Sequence, residues 1–258
     1  MRVDDIQINR QRKSDGATAL IAACRVEALE CVHALLTSPD VDTNYNDRSG
    51  ETPLWIASSR GNIQCMKVLI KYGADLNYRD NSHGTTPLFE AVRIRKTSAV
   101  HVLLTANADV NLSREGDGTT PLMMAAHNGH IGIVKWLLNA GADVALSNKQ
   151  NVSSLSCAAM EGHLDILKIL HQAAVKVMDS QAFTDFVNTG DSEDGWTMLH
   201  FACMGGHKDV VKYLVEEIKV DLHVQDFENK TGLDHAKEDK HDSIVRWFTG
   251  YDLIHLSL

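Results

Sequence analysis

Thirteen histidines and five cysteines are the residues of this 258-residue chain best suited to hold a metal or to attack a substrate. The histidines fall into a pattern: His130, His163 and His207 each follow a glycine, and His200 stands three residues after Thr197. A histidine in a recurring place can donate from one ring nitrogen and accept at the other, so it can satisfy backbone groups between neighbouring segments. That reading is structural. The cysteines (Cys24, Cys31, Cys65, Cys157, Cys203) are odd in number and never spaced C-x-x-C. Neither a disulfide framework nor a zinc cluster follows from such spacing, and all five read as buried small hydrophobes in a reducing compartment. Phosphate-cradling glycine loops, His-Glu-x-x-His and Gly-x-Ser-x-Gly do not occur, and the carboxylates are dispersed. No catalytic, cofactor-binding or metal-ligating residue is assigned, and the chain is read as a non-enzyme.

The elements that would carry these residues repeat. Gly50-Glu-Thr-Pro-Leu54, Gly84-Thr-Thr-Pro-Leu88 and Gly118-Thr-Thr-Pro-Leu122 recur every 34 residues. With the threonine as register mark, the series is Thr18, Thr52, Thr86, Thr120, Ser153, Thr197 and Thr231, at intervals of 34, 34, 34, 33, 44 and 34. Threonine caps a helix start, and proline fits the first turn because its missing N–H would have no helical partner there. The helix ends about nine residues on at Gly61, Gly129, Gly162 or Gly206, since glycine takes the left-handed conformation that closes a helix. A second helix follows, with apolar residues at three- and four-residue spacing, as in Ile131 to Leu138, with Lys135 left for solvent. It stops near Gly73-Ala-Asp75 or Gly141-Ala-Asp143, and a polar turn leads back to the next threonine. The small pairs Ala22-Ala23, Ala125-Ala126 and Ala158-Ala159 let first helices approach closely. One such unit cannot bury its apolar face alone, so the core comes from stacking.

Composition narrows the partners. A net charge of -9 repels phosphate backbones, so nucleic acid is not an expected partner. No stretch approaches the roughly 20 apolar residues that cross a bilayer, and Met1-Arg-Val-Asp-Asp-Ile6 lacks the apolar run of a signal peptide. The chain is read as an intracellular, cytoplasmic monomer with no direct membrane insertion, a nuclear setting remaining open.

Thr-Pro-Leu, Ala-Ala, Gly-His, Ile-Val-Lys and Gly-Ala-Asp in this order closely resemble the ankyrin repeat, over Gly16 to about Phe248. The resemblance implies an all-α solenoid of about seven helix-turn-helix repeats with projecting β-turn fingers. Residues 1–15 are an N-terminal extension; 16–248 are the array, with repeats starting near 16, 50, 84, 118, 151, 195 and 229. Residues 249–258 are a tail expected to pack on the last repeat. The third repeat departs from the pattern with Arg95-Lys96 in place of Gly-His, and the fifth has Ser153-Ser-Leu155 without proline. The polar seventh, with Lys237, Glu238, Asp239 and Lys240, suits a cap. The long interval inserts about 175–194, either a looped-out functional segment or an extended second helix with Phe183 and Phe186 tucked back. Asn77 and Asn111 stand in a context resembling hydroxylated ankyrin asparagines, although turn formation is the stronger reading.

For an ankyrin array the resemblance implies a protein-interaction scaffold or adaptor, the alternative being the regulatory domain of a larger enzyme, channel or transferase. A small-molecule sensor is the third reading. Packing does not need the helix face that carries Trp55 and Ser59, four residues apart. Carried along the array, that face gives Ile21, Trp55, Phe89, Met123, Ser156 and His200, then Arg25, Ser59, Arg93, His127, Met160 and Met204. Trp55, Phe89 and Met123 either fill space between first helices or floor a groove with a basic edge of Arg60, Arg93, Arg95 and Lys96. Tryptophan and arginine are enriched among binding hot spots. A protein partner with an acidic, partly apolar segment would suit this groove. The turn tips, with Arg48 and His83 among them, form the second candidate surface.

Overall fold

In the computed structural model of the chain, the backbone of residues 7–255 and the side chains of residues 7–251 are described. Among these residues there are fifteen α-helices and one isolated antiparallel bridge, Ser147 to Ser153. The first helices are α1 (Ala19–Arg25), α2 (Leu29–Leu36), α3 (Pro53–Arg60), α4 (Ile63–Lys71), α5 (Pro87–Arg93) and α6 (Thr97–Thr105). Then come α7 (Pro121–His127), α8 (Ile131–Asn139), α9 (Ser154–Met160), α10 (Leu164–Val177) and α11 (Ser180–Asn188). The last are α12 (Met198–Met204), α13 (Lys208–Tyr213), α14 (Gly232–Glu238) and α15 (Asp242–His255). They form two compact halves: residues up to Pro121 with Asn139–Gly141, and Leu122–Leu138 with the chain from Ala142.

The short inner helices start where the register threonines place them. Thr18, Thr52, Thr86 and Ser153 accept hydrogen bonds from the amides of Ile21, Trp55, Phe89 and Ser156 at 3.1–3.3 Å, which satisfies an otherwise orphaned donor in each first turn. Thr197 and Thr231 go further, forming capping boxes with His200 and Asp234. At the other end Gly162 has φ 72°, and a Cβ there would sit 2.5 Å from His207 Nδ1. The third repeat lacks this glycine, and Arg95 takes the same left-handed conformation at φ 62°.

In the first half α3 packs on both α1 and α5, and the outer helix α4 on α2 and α6. Leu54, Ala57 and Ser58 are fully buried in that stack, the Ser58 hydroxyl donating to Leu54 O at 2.7 Å. Asparagines tie the turns between outer helices together. Asn9, Asn44 and Asn77 accept from the amides of Asp42, Asp75 and Asp109, each about 30 residues further on, at 2.7–3.0 Å. Asn77 is thus a turn former.

In the second half α12 packs on α9 and α14, and α13 on α10 and α15. The insertion is not a loop. Outer helix α10 runs to Val177, Asp179 caps the next helix by accepting from Ala182 N at 2.8 Å, and α11 folds back on α10. Phe183 and Val187 are buried there, Phe183 stacking on the His171 ring at 5.2 Å, while Phe186 is half-buried. The segment is neither an open loop nor one extended helix: α10 lengthens to Val177, and a separate helix tucks Phe183 back. Residues 249–255 continue α15 as helix; residues 256–258, and the side-chain packing expected of the tail from 252 on, lie outside the described residues.

After α13 the chain makes a π-helical turn, Leu214–Ile218, followed by Lys219 in the left-handed conformation at φ 62°. Its cause is countable in the sequence. From His130 to Asp143 is 13 residues, but from the equivalent His207 to Asp221 is 14. One extra residue in an outer helix is absorbed by widening a turn.

Candidate functional site

The inner-helix face is built from two positions per repeat, and burial separates them. At the first position Ile21 and Phe89 are 0% exposed, Met123 and His200 1%, and Ser156 8%. Trp55 alone in this row is half-buried. At the second position Arg93 and His127 are exposed, and Arg25, Ser59, Met160 and Met204 are half-buried. The expectation that Phe89 and Met123 offer an apolar floor to a partner is therefore corrected: both are sealed in packing. The reason is geometric. A residue at the third position of an inner helix sits in the corner beneath the next repeat's turn. Thus Trp55 Nε1 donates to Thr85 Oγ1 at 3.2 Å, and His200 Nε2 is 3.1 Å from Lys230 O.

The arginines of this face are held by carboxylates. Arg93 makes two hydrogen bonds side-on to Glu90, Nε to Oε2 at 2.8 Å and Nη2 to Oε1 at 2.7 Å. Glu90 is itself 5% exposed. Arg25 pairs with Asp15 and Asp47 and approaches Glu51, and Arg114 pairs with Asp117 while its guanidinium lies 5.7 Å over the Phe89 ring. The hydrogen bonds donated to Glu90 and Asp117 raise the pKa values of Arg93 and Arg114 above the ordinary arginine value, against some loss from burial. Burial pushes Glu51 up, Asp47 adding to it and Arg25 opposing. The edge expected to be basic is thus part zwitterion. Arg60, Arg95 and Lys96 are exposed on the same edge, with the Lys96 stem lying over Gly61. Glu90 and Arg114 were missed in the sequence; the Glu90-x-x-Arg93 spacing, one helical turn, was the available signal.

At the tips Arg48 donates to Ser14 O at 3.0 Å and Lys13 O at 2.7 Å, joining two adjacent turns. His83 is exposed, with its Nδ1 3.7 Å from Asp80. Asp80 anchors its turn by accepting from the amides of Ser82, His83 and Thr85 and from Thr85 Oγ1. Burial opposes its charge, but these donors outweigh that and hold its pKa below the ordinary carboxylate value.

The cysteines and histidines fall in different surroundings. Burial pushes the Cys24 and Cys203 thiols up to about 12. Cys65 is also buried, but Cys31 is exposed and Cys157 half-buried, so the expectation of five buried cysteines is corrected for those two. His163, His207 and His241 each reach back to the preceding inner helix, Nε2 lying 3.1, 2.9 and 2.7 Å from His127 O, Met160 O and Met204 O. Burial lowers the pKa of His200, keeping it neutral in its capping box. Among the described residues no group of three or more His, Cys, Asp or Glu could hold a metal ion, and no helix is long and apolar enough to cross a membrane.

Paired short helices, capped by threonine, closed by left-handed glycine and latched by Gly-His, are what the family of ankyrin repeats is built from. The model of that family, described as ankyrin repeats in three copies, matches residues 3–80, 29–114, 88–181 and 156–255. The chain belongs to the ankyrin repeat family. Among ankyrin repeat relatives, it is 38% identical over 68 residues to the E3 ubiquitin-protein ligase KEG of Arabidopsis thaliana, 26% of this chain and 4% of that protein. It is 39% identical over 61 residues to ankyrin repeat domain-containing protein 29 of Danio rerio, 24% of this chain and 20% of that one. To the human Notch-regulated ankyrin repeat-containing protein it is 37% identical over 67 residues, 26% of this chain and 49% of that one. The matched stretches thus span less than half of each relative. Ankyrin repeats generally mediate protein–protein interaction and are typically non-catalytic.

Proposed function

We propose that this chain is a non-catalytic interaction module that binds a protein partner on the inner-helix face and turn tips of its first half. The observation that carries this is the division of labour on that face. Phe89 and Ile21 are spent on packing, whereas Trp55, Ser59, Arg60, Arg93 and Arg95 keep solvent-facing surface. In the second half His127 and Met160 occupy the equivalent open position, and Arg48 and His83 extend the surface at the first half's tips. Arg93 is oriented before any partner arrives, because Glu90 has fixed its guanidinium; little rotamer entropy is then lost on binding. A segment with carboxylates beside an apolar side chain matches Trp55 next to the cations Arg60, Arg95 and Lys96. The partner is protein and not nucleic acid, and the module works as a monomer without cofactor in an intracellular, cytoplasmic setting.

A second reading has its own support. The stretch matched in the ubiquitin ligase is 4% of that protein, so repeats like these also occur inside much longer chains. There the module would serve a larger protein's regulation, its partner surface being the same.

The test compares the wild-type chain with a Trp55→Ala, Arg60→Glu, Lys96→Glu variant, both checked by circular dichroism, in quantitative pull-downs. Partners depleted at least tenfold from the folded variant support the reading. Identical partner profiles overturn it and turn attention to the tips.

A further inference from the structure

A cleft of about 940 Å³ opens in the second half between the π-helical turn and α15. Its walls are Val215, Val220 and Leu222 on one side and the aromatic residues Trp247 and Tyr251 on the other, the two rings 5.2 Å apart. Lys219 and Arg246 border it, with Glu216 the one carboxylate among the described lining residues. The neighbouring Glu217 acts on His171 and Tyr213, which belong to the α10 side. In a chain of net charge -9, the cleft is therefore a local reversal of sign around an aromatic wall.

Two features of the backbone single this place out. The extra residue of the sixth repeat is absorbed here as a π-helical turn, and such turns collect at functional sites. Directly after it a lysine holds φ 62°, where the second helices of the second, third and fourth repeats are followed by Gly73 at 81°, Asn107 at 64° and Gly141 at 89°. Glycine and, less readily, asparagine visit that region, whereas a lysine there is strained. Glycine would close the helix without that cost but would leave no cation at the cleft. A conformation that disfavours folding and supplies a charge to a cavity is the pattern expected of a binding position.

We infer that this cleft is a second docking site, for a short protein segment that carries an aromatic or aliphatic side chain flanked by carboxylates. The apolar side chain enters between Val215, Val220 and Trp247, and the carboxylates meet Lys219 and Arg246. Charge complementarity selects this occupant over a basic one, since the described lining holds two cations to one anion. The site lies on the outer-helix side of the last two repeats and is independent of the inner-helix groove.

The probe is a random dodecapeptide phage library panned on the full wild-type chain, with depletion on a Lys219→Glu, Arg246→Glu variant. Both positions are exposed, so this variant should fold. Expected are enriched peptides with Asp or Glu around an apolar residue, whose synthetic versions lose at least tenfold in affinity for the variant and none for Trp55→Ala. Lys219→Gly gives the second readout: thermal stability should rise while peptide affinity falls. Failure to enrich variant-sensitive peptides, enrichment of basic ones, or equal binding by Lys219→Gly overturns the inference. Concentration-dependent self-association abolished by Lys219→Glu, Arg246→Glu would also overturn it, by assigning the cleft to a second copy. Loss of peptide binding on Trp55→Ala would place the peptides in the other groove.

Discussion

Trp55 of one repeat donates its indole N–H to Thr85 of the next at 3.2 Å, and the Thr85 hydroxyl in turn donates to buried Asp80 at 2.6 Å. An exposed-face aromatic is thereby wired to the residue that organises a turn finger. Trp55 is at once a surface residue and an inter-repeat strut, and variants here will report on both roles.

Replacing Trp55 by Phe keeps most of the ring and deletes the donor. The loss should be about 1 kcal/mol of stability, the usual net worth of one such bond. Urea unfolding of Trp55→Phe beside wild type measures it; an unchanged midpoint would mean that solvent serves Thr85 equally well.

Phe89→Ala should behave differently. It empties a fully buried site under the Arg114 guanidinium and should cost about 3–5 kcal/mol. Arg60→Glu on the exposed rim should stay within about 0.5 kcal/mol. Thermal melts of the two variants separate core from surface, and binding data on Phe89→Ala would be read only at temperatures where it is folded.

Gly162→Ala tests the latch between repeats. The new methyl would lie 2.5 Å from His207 Nδ1 at φ 72°, and His207 would lose its 2.9 Å contact with Met160 O. A destabilisation of about 2 kcal/mol is expected from the backbone region alone. Chemical denaturation measures it, and a neutral result would mean that the stack shifts freely at this joint.

Acid should destabilise the last repeats through Asp226. Asp226 accepts from the amides of Glu228 and Lys230 and lies 2.7 Å from His235 Nε2. Burial opposes its charge, but these partners hold its pKa down to about 2. An unfolded aspartate takes its proton near pH ~3.9, so between these values the unfolded chain binds the extra proton. The stabilisation is whole above about pH 4 and drains away as pH falls towards 2. Asp226→Asn should be less stable at pH 7 and show a shallower decline over that window. Unfolding midpoints at pH 5, 4 and 3 decide it: parallel curves for wild type and variant would show that this carboxylate does not link folding to protons.

The sequence by itself determined the local grammar of this protein. Threonine caps, left-handed glycines and three-four apolar spacing are short-range physics, legible wherever Thr52, Gly61 or Ile133 stands. The repeat and its family followed from that grammar. The tertiary structure decided which face is surface. Trp55 and Phe89 occupy equivalent places in the register, yet one keeps exposed area and the other keeps none, because what lies over an inner helix is set by the turn of the next repeat. It also decided that the long interval is α11 docked on His171, since burial of Phe183 depends on a partner some twelve residues earlier in space as well as in chain. The ion pairs of Arg93 and Arg114 were hidden because pairing depends on rotamer and burial as well as spacing. The π-helical turn was hidden by cancellation. The extra residue before Asp221 is offset by a following turn one residue shorter than those before Thr86 and Thr120, so the interval to Thr231 remains 34. A register mark counts residues per repeat. Only the folded backbone shows where in the repeat they are spent.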